Sequence, residues 1–129
     1  MTGGPRKPSR SSDDRRRALA SGHDAEAWVA EELEALGWEI VARNVRVGNG
    51  ELDLVIRRRG VLRFVEVKAR TGGEDGLEAM TPWKQGKLRR AAEGWLQQEQ
   101  LGGFDEVAFL VAVVHMGDRW ELELLDDAF

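Results

Sequence analysis

Residues 51–70 read Glu51-Leu-Asp-Leu-Val-Ile-Arg-Arg-Arg-Gly60-Val-Leu-Arg-Phe-Val-Glu-Val-Lys-Ala-Arg70. Apolar and polar residues alternate with period two on either side of Arg59-Gly60, the pattern of two strands joined by a tight turn. An even loop sets the pairing. Leu52 then opposes Val67 and Leu54 opposes Val65, so four apolar side chains share one face. Asp53 opposes Glu66 and Glu51 opposes Lys68 on the other, with Val55 and Phe64 just beyond.

That second face is unusual, because like charges directly across a ladder repel. A divalent cation between Asp53 and Glu66 would reverse the sign of the interaction, since hard cations bind carboxylate oxygens. Lys68 points the same way and is placed to hold a water or a phosphate oxygen there. The plainer alternative is a solvated face whose charges pair crosswise, Glu51 with Lys68 and an arginine near Asp53.

Working outward, Trp38 to about Val45 reads as a strand, with Ile40 and Ala42 on one side and Val41 and Arg43 on the other. Val47-Gly-Asn-Gly50 is a turn. From His23 to Leu36 the pattern is helical: Ala25, Val29, Leu33 and Leu36 form a stripe and Gly37 is placed as the stop. Glu26 aligns with Ala30 and Leu33 at the border of that stripe. Thr81-Pro82 is a helix start, and Leu88, Ala91, Ala92, Trp95 and Leu96 mark the buried face of the helix that follows. Lys84, Lys87, Arg89 and Arg90 crowd its first half with no acid among them. The run from Glu106 to Val114 is nearly all apolar, as expected of a strand covered on both faces, and Trp120 to Leu125 alternates. The Gly-rich stretch from Thr71 to Met80 reads as a loop at the rim of the site. The five tryptophans are scattered, which reads as packing rather than a base-stacking platform.

At 129 residues the chain fits one domain, residues 15–129, behind a basic tail at 1–14 too poor in apolar residues to fold. The absence of cysteine rules out a disulfide framework and a thiolate metal site, and suits the cytoplasm. No apolar run reaches membrane-spanning length, and no Walker loop, H-E-x-x-H or serine elbow is present. The net charge of −4 hides an asymmetry. Residues 43–90 carry twelve Lys and Arg against six Asp and Glu, whereas residues 97–129 carry one against eight. A phosphate-facing surface therefore belongs to the middle of the chain.

The order helix, three strands, helix, two strands predicts an α/β fold: one mixed sheet with flanking helices. Asp53 followed by Glu66-Val67-Lys68 resembles the D…(D/E)-x-K signature of the PD-(D/E)-x-K nucleases. Gly22…Glu26, Arg43-Asn44, Gly50-Glu51-Leu52-Asp53-Leu54, Phe64 to Arg70, Thr81-Pro82-Trp83-Lys84-Gln85 and Asp127-Ala128-Phe129, in that order, resemble the YraN-like family of predicted endonucleases. That family is similar in turn to archaeal Holliday-junction resolvases. The resemblance implies a restriction-endonuclease-like αβββαβ core and a Mg²⁺- or Mn²⁺-dependent endonuclease acting on DNA, branched or structured DNA included, in repair or recombination. It places Asp53, Glu66, the Val67 carbonyl and Glu26 at the metal, with Lys68 beside the reacting water and Glu51 in support. Lys84 matches a lysine of the family pattern and is expected, with Lys87 and Arg70, at substrate phosphates. It also implies a homodimer, for which Trp120, Leu122 and Leu124 are the candidate face. The alternatives are a nuclease-fold module that binds nucleic acid or protein without cutting, and a structural or adaptor domain.

Overall fold

The computed structural model describes residues 22–71, 81–100, 102–126 and 128–129. The expected basic tail, the Arg15-Arg16-Arg17 run, the stretch from 72 to 80, the side chain of His23 and Asp127 lie outside the described residues. The elements run α1 (Gly22–Ala35), β1 (Glu39–Val47), β2 (Gly50–Arg58), β3 (Val61–Thr71), α2 (Pro82–Glu99), β4 (Glu106–Met116) and β5 (Trp120–Asp126). One sheet of order β1-β2-β3-β4-β5 holds all the strands, with β3 and β4 parallel and the other neighbours antiparallel. This is the expected αβββαβ order with β5 added at the edge. A parallel pair needs a crossover, and α2 lies within the one between β3 and β4.

Local chemistry sets the helix ends. α1 stops where Gly37 takes φ 99°, a conformation open to glycine. The Gly37 and Trp38 amides then donate to the Glu34 and Leu33 carbonyls at 3.0 and 3.1 Å, a Schellman closure. Leu36 falls at this cap and is 53% exposed, so it leaves the stripe that periodicity assigned to it. α2 starts as expected, with the Thr81 hydroxyl accepting from the Lys84 amide at 3.2 Å and Pro82 in the first turn.

Each helix seals one face of the sheet. α1 buries Ala25, Val29, Ala30 and Leu33 against Leu54, Ile56, Val65 and the β4 residues Leu110, Ala112 and Val114. α2 buries Ala91, Ala92 and Trp95 against Leu52, Val55, Leu62 and Phe64. Trp120 and Leu122 pack into the α1 side, Trp120 edge-on to Trp28 with centroids 5.5 Å apart. The outward face expected to serve a dimer is thus largely taken up by the chain's own helix, and only Leu124 of that trio is exposed.

The strands depart from simple alternation in two places. A register shift between Ile40 and Ala42 turns both Val41 and Ala42 toward α2, while Ile40 faces α1. The sides expected for β1 are corrected accordingly. Further along, Arg43 pairs with Leu54 and Val45 with Leu52, and between them Asn44 adopts φ 51°. The facing reverses across this point: Leu54 packs toward α1, but Leu52 packs toward α2. Leu52 therefore does not share a face with Leu54, Val65 and Val67: strict period-two alternation fails at Asp53, the position opposite Asn44.

Candidate active site

The hairpin has the predicted register from Arg58↔Val61 around the Arg59-Gly60 turn to Leu54↔Val65. There the β2–β3 ladder ends. Asp53 stands opposite the left-handed Asn44, where the strand changes facing. Its carboxylate turns toward β3 and accepts the Val67 amide at 2.8 Å. A side chain has replaced the backbone partner, so the Asp53–Glu66 and Glu51–Lys68 pairings anticipated across the ladder are absent. The N–H and C=O of one residue in an extended strand face the same neighbour. The Val67 carbonyl thus faces the gap that Asp53 occupies.

The electrostatics of this gap are unbalanced. Burial, then the charge of Glu66, raise the Asp53 pKa from its ordinary 3.8 to about 7. The Val67 hydrogen bond opposes the rise, and Glu26 and Glu51 add smaller repulsions. Lys68 does not pair with Glu51. Its ammonium lies 3.3 Å from Glu66, with the two side chains only 15% and 18% exposed. Nor do the arginines nearest in the hairpin attend Asp53: Arg57 binds Glu39, Arg58 the Leu36 carbonyl, and Arg63 binds Asp126 and Glu106. The crosswise pairing that would make this an ordinary solvated face is not formed.

The other expected site residues fall in two groups. Glu26 projects from α1, half-buried, near enough for its charge to act on Asp53. Among the described residues no three His, Cys, Asp or Glu side chains gather closely enough to hold a metal, so Glu26 is not brought into one cluster with Asp53 and Glu66. Glu51 is exposed and Arg70 half-buried on the outgoing end of β3. Lys84 and Lys87 are half-buried on the first turns of α2. Trp83 and Arg90, which sequence reasoning left aside, join Lys87 in a groove of about 450 Å³ against the β1–β2 turn. Trp83 is 67% exposed, which corrects the assignment of all five tryptophans to packing. Its place beside Lys84 in a helical first turn was the available signal.

The donor chemistry fits a hard divalent cation. Mg²⁺ commonly takes one or two carboxylates, retains waters and accepts phosphate oxygens, rather than demanding an all-protein cage. Asp53 and Glu66, with the Val67 carbonyl, provide such a set, and burial together with the Glu66 charge disfavours the Asp53 carboxylate without a counter-charge.

Fold and site together define an α/β protein of the αβββαβ class, with a pair of carboxylates and a lysine at the open end of its central hairpin. The model of a family described as uncharacterised protein family UPF0102 matches residues 25–113. The chain belongs to this family, the YraN-like group. A UPF0102 protein of Bradyrhizobium sp. (strain ORS 278) is 42% identical over 94 residues, covering 73% of this chain and 67% of the relative. One from Agrobacterium fabrum is 38% identical over 104 residues, 77% of this chain and 85% of its own. One from Corynebacterium diphtheriae is 38% identical over 101 residues, 77% and 80% respectively. No helix among the described residues is long and apolar enough to cross a membrane.

Proposed function

We propose that this protein is a divalent-metal-dependent nuclease that hydrolyses phosphodiester bonds in DNA, branched or structured DNA included. The observation that carries the reading is the Asp53 carboxylate turned across the end of the ladder to the Val67 amide, its pKa lifted to about 7 by burial and by the charge of Glu66. Asp53, Glu66 and the Val67 carbonyl would hold Mg²⁺ or Mn²⁺. When bound, that ion lowers the pKa of a water ligand and offsets negative charge growing on the phosphorus. Lys68, kept in place by Glu66, sets a positive charge beside the reacting phosphate. Glu26 acts from α1 through water, and Glu51 adds negative charge that strengthens cation binding. Lys84, Lys87 and Arg70 neutralise phosphates on either side.

The test is digestion of junction, flap, single-stranded and duplex DNA with Mg²⁺ or Mn²⁺, wild type beside Glu66→Ala. Wild type is expected to cut at least one of them and Glu66→Ala none, with binding retained. Asp53→Ala should likewise abolish cutting but leave binding intact or tighter, since it removes negative charge. Binding without cleavage by the wild-type chain, whichever ion is supplied, would replace this reading with that of a non-cutting binding module.

A further inference from the structure

The groove between the β1–β2 turn and α2 has features that the cleavage chemistry does not use. One wall is the turn from Val47 to Gly50; the other is Trp83, Lys87, Arg90 and Ala91 on α2. The walls are held together by a close approach. A Cβ on Gly50 would stand 2.9 Å from the Ala91 Cβ and 3.1 Å from the Lys87 carbonyl oxygen, so only glycine lets the turn reach the helix. The Lys87 ammonium lies 4.7 Å over one face of the Trp83 ring. The residue is 67% exposed and lines the groove, so much of the ring is left to water. Arg90, which lines the same groove, folds back over Gly86, its Nη1 3.3 Å from where a Cβ would stand. Among the described residues neither Lys87 nor Arg90 has an acidic partner.

A Trp–Lys pair at i, i+4 also occurs as a simple helix-surface contact. That contact explains neither the second unpaired cation nor the groove facing the ring. An open indole face flanked by two free cations is the arrangement that takes a base by stacking and its phosphates by charge. Gly50 is three residues from Asp53 on β2, about 10 Å at the rise of a strand, so a strand crossing this edge reaches both.

We propose that this groove binds an unpaired nucleotide, with the base stacked on Trp83 and the flanking phosphates on Lys87 and Arg90, and that it selects DNA with single-stranded character. The inference rests on the nuclease reading for the class of its ligand, but not on cleavage. The base pairs of an intact duplex keep their faces covered by neighbouring pairs and cannot offer one to Trp83.

The experiment measures anisotropy with labelled oligothymidylate and with a blunt duplex of equal length, using the full chain in EDTA so that nothing is cut. Trp83→Ala is expected to weaken single-strand binding about 10-fold or more, the scale of one stacked base, and to leave duplex binding unchanged. Trp83→Phe should restore most of the loss. In a strand carrying 2-aminopurine, wild type should quench the probe and Trp83→Ala should not. Equal affinity of wild type and Trp83→Ala for oligothymidylate overturns the inference while leaving the nuclease reading standing, as does an equal loss on both ligands. Absence of binding to either ligand by wild type overturns the inference and leaves the nuclease reading to the digestion test. A Trp83-dependent preference in a protein that never cuts keeps this inference and removes the nuclease.

Discussion

Asp53 illustrates how one residue can be held in a state it would not choose in water. Burial and the Glu66 charge raise its pKa from 3.8 to about 7, so the folded metal-free chain holds a proton that the unfolded chain releases at lower pH. The sign follows directly: between about pH 4 and 7 the unfolded state binds fewer protons, and stability falls as pH rises. The contribution is complete below about pH 4 and lost above about pH 7, with a ceiling of about 4 kcal/mol for a shift of this size. Asp53→Asn should remove that slope and leave the metal-free protein more stable at pH 8 than wild type. Calorimetry against pH checks this. Mg²⁺ should raise the Tm of wild type at pH 8 and not that of Asp53→Asn, and a Tm that ignores Mg²⁺ in both would count against the metal centre.

At the scale of the element, β3 carries two kinds of charge with opposite fates. Near its start Arg63 is 5% exposed, and its guanidinium reaches Asp126 at 2.6 Å and Glu106 on β4. The hydrogen bond to Asp126 leads the effects that push its pKa further up. Both partner carboxylates are more than half exposed, so they can return to water when the arginine is removed. Arg63→Met should therefore cost about 1–3 kcal/mol, below the penalty for stranding a buried charge. Arg57→Met breaks only the exposed pair with Glu39 and should cost at most about 1 kcal/mol. Urea denaturation of the two variants checks the order, and equal losses would show that Arg63 does not tie β3 to β4 and β5. At the other end of β3, Glu66 and Lys68 pair with each other beyond the point where the ladder to β2 ends.

For the whole molecule, the open question of assembly has a physical answer to test. Trp120 and Leu122 are spent on α1, so the apolar area for a two-fold interface on that face is small. The stretch 97–129 also carries eight acids against one base, which makes two copies repel. The isolated chain is expected to sediment as a monomer at micromolar concentration. It should then nick branched DNA one strand at a time rather than cut two in concert. A stable dimer in the absence of DNA would show that another surface, the free edge of β1 or β5 first among them, does the pairing.

The order of elements, the hairpin register beside its turn, the α2 stripe, the Thr81 start and the Gly37 stop were all legible in the sequence. Each rests on chemistry local in the chain: period-two or helical spacing, a capping hydroxyl, a residue free to take positive φ. Asp53 and Glu66 were singled out for the same reason, an even loop that sets them opposite each other, but the ladder ends at Leu54↔Val65, short of that pairing. Folding together decided the rest. That Asn44 turns left-handed, that Leu52 faces α2 and that Asp53 accepts the Val67 amide depend on how β1 and β2 lie on two helices at once. Whether Lys68 answered Glu51 or Glu66 depended on the ladder opening, a property of the pair of strands and not of either one. Trp83 differed from the other four tryptophans in the sequence only by its place beside Lys84 in a first helical turn. Only the approach of Gly50 to Ala91 set a groove beside it, because exposure is a property of what packs nearby and no single stretch of chain encodes it.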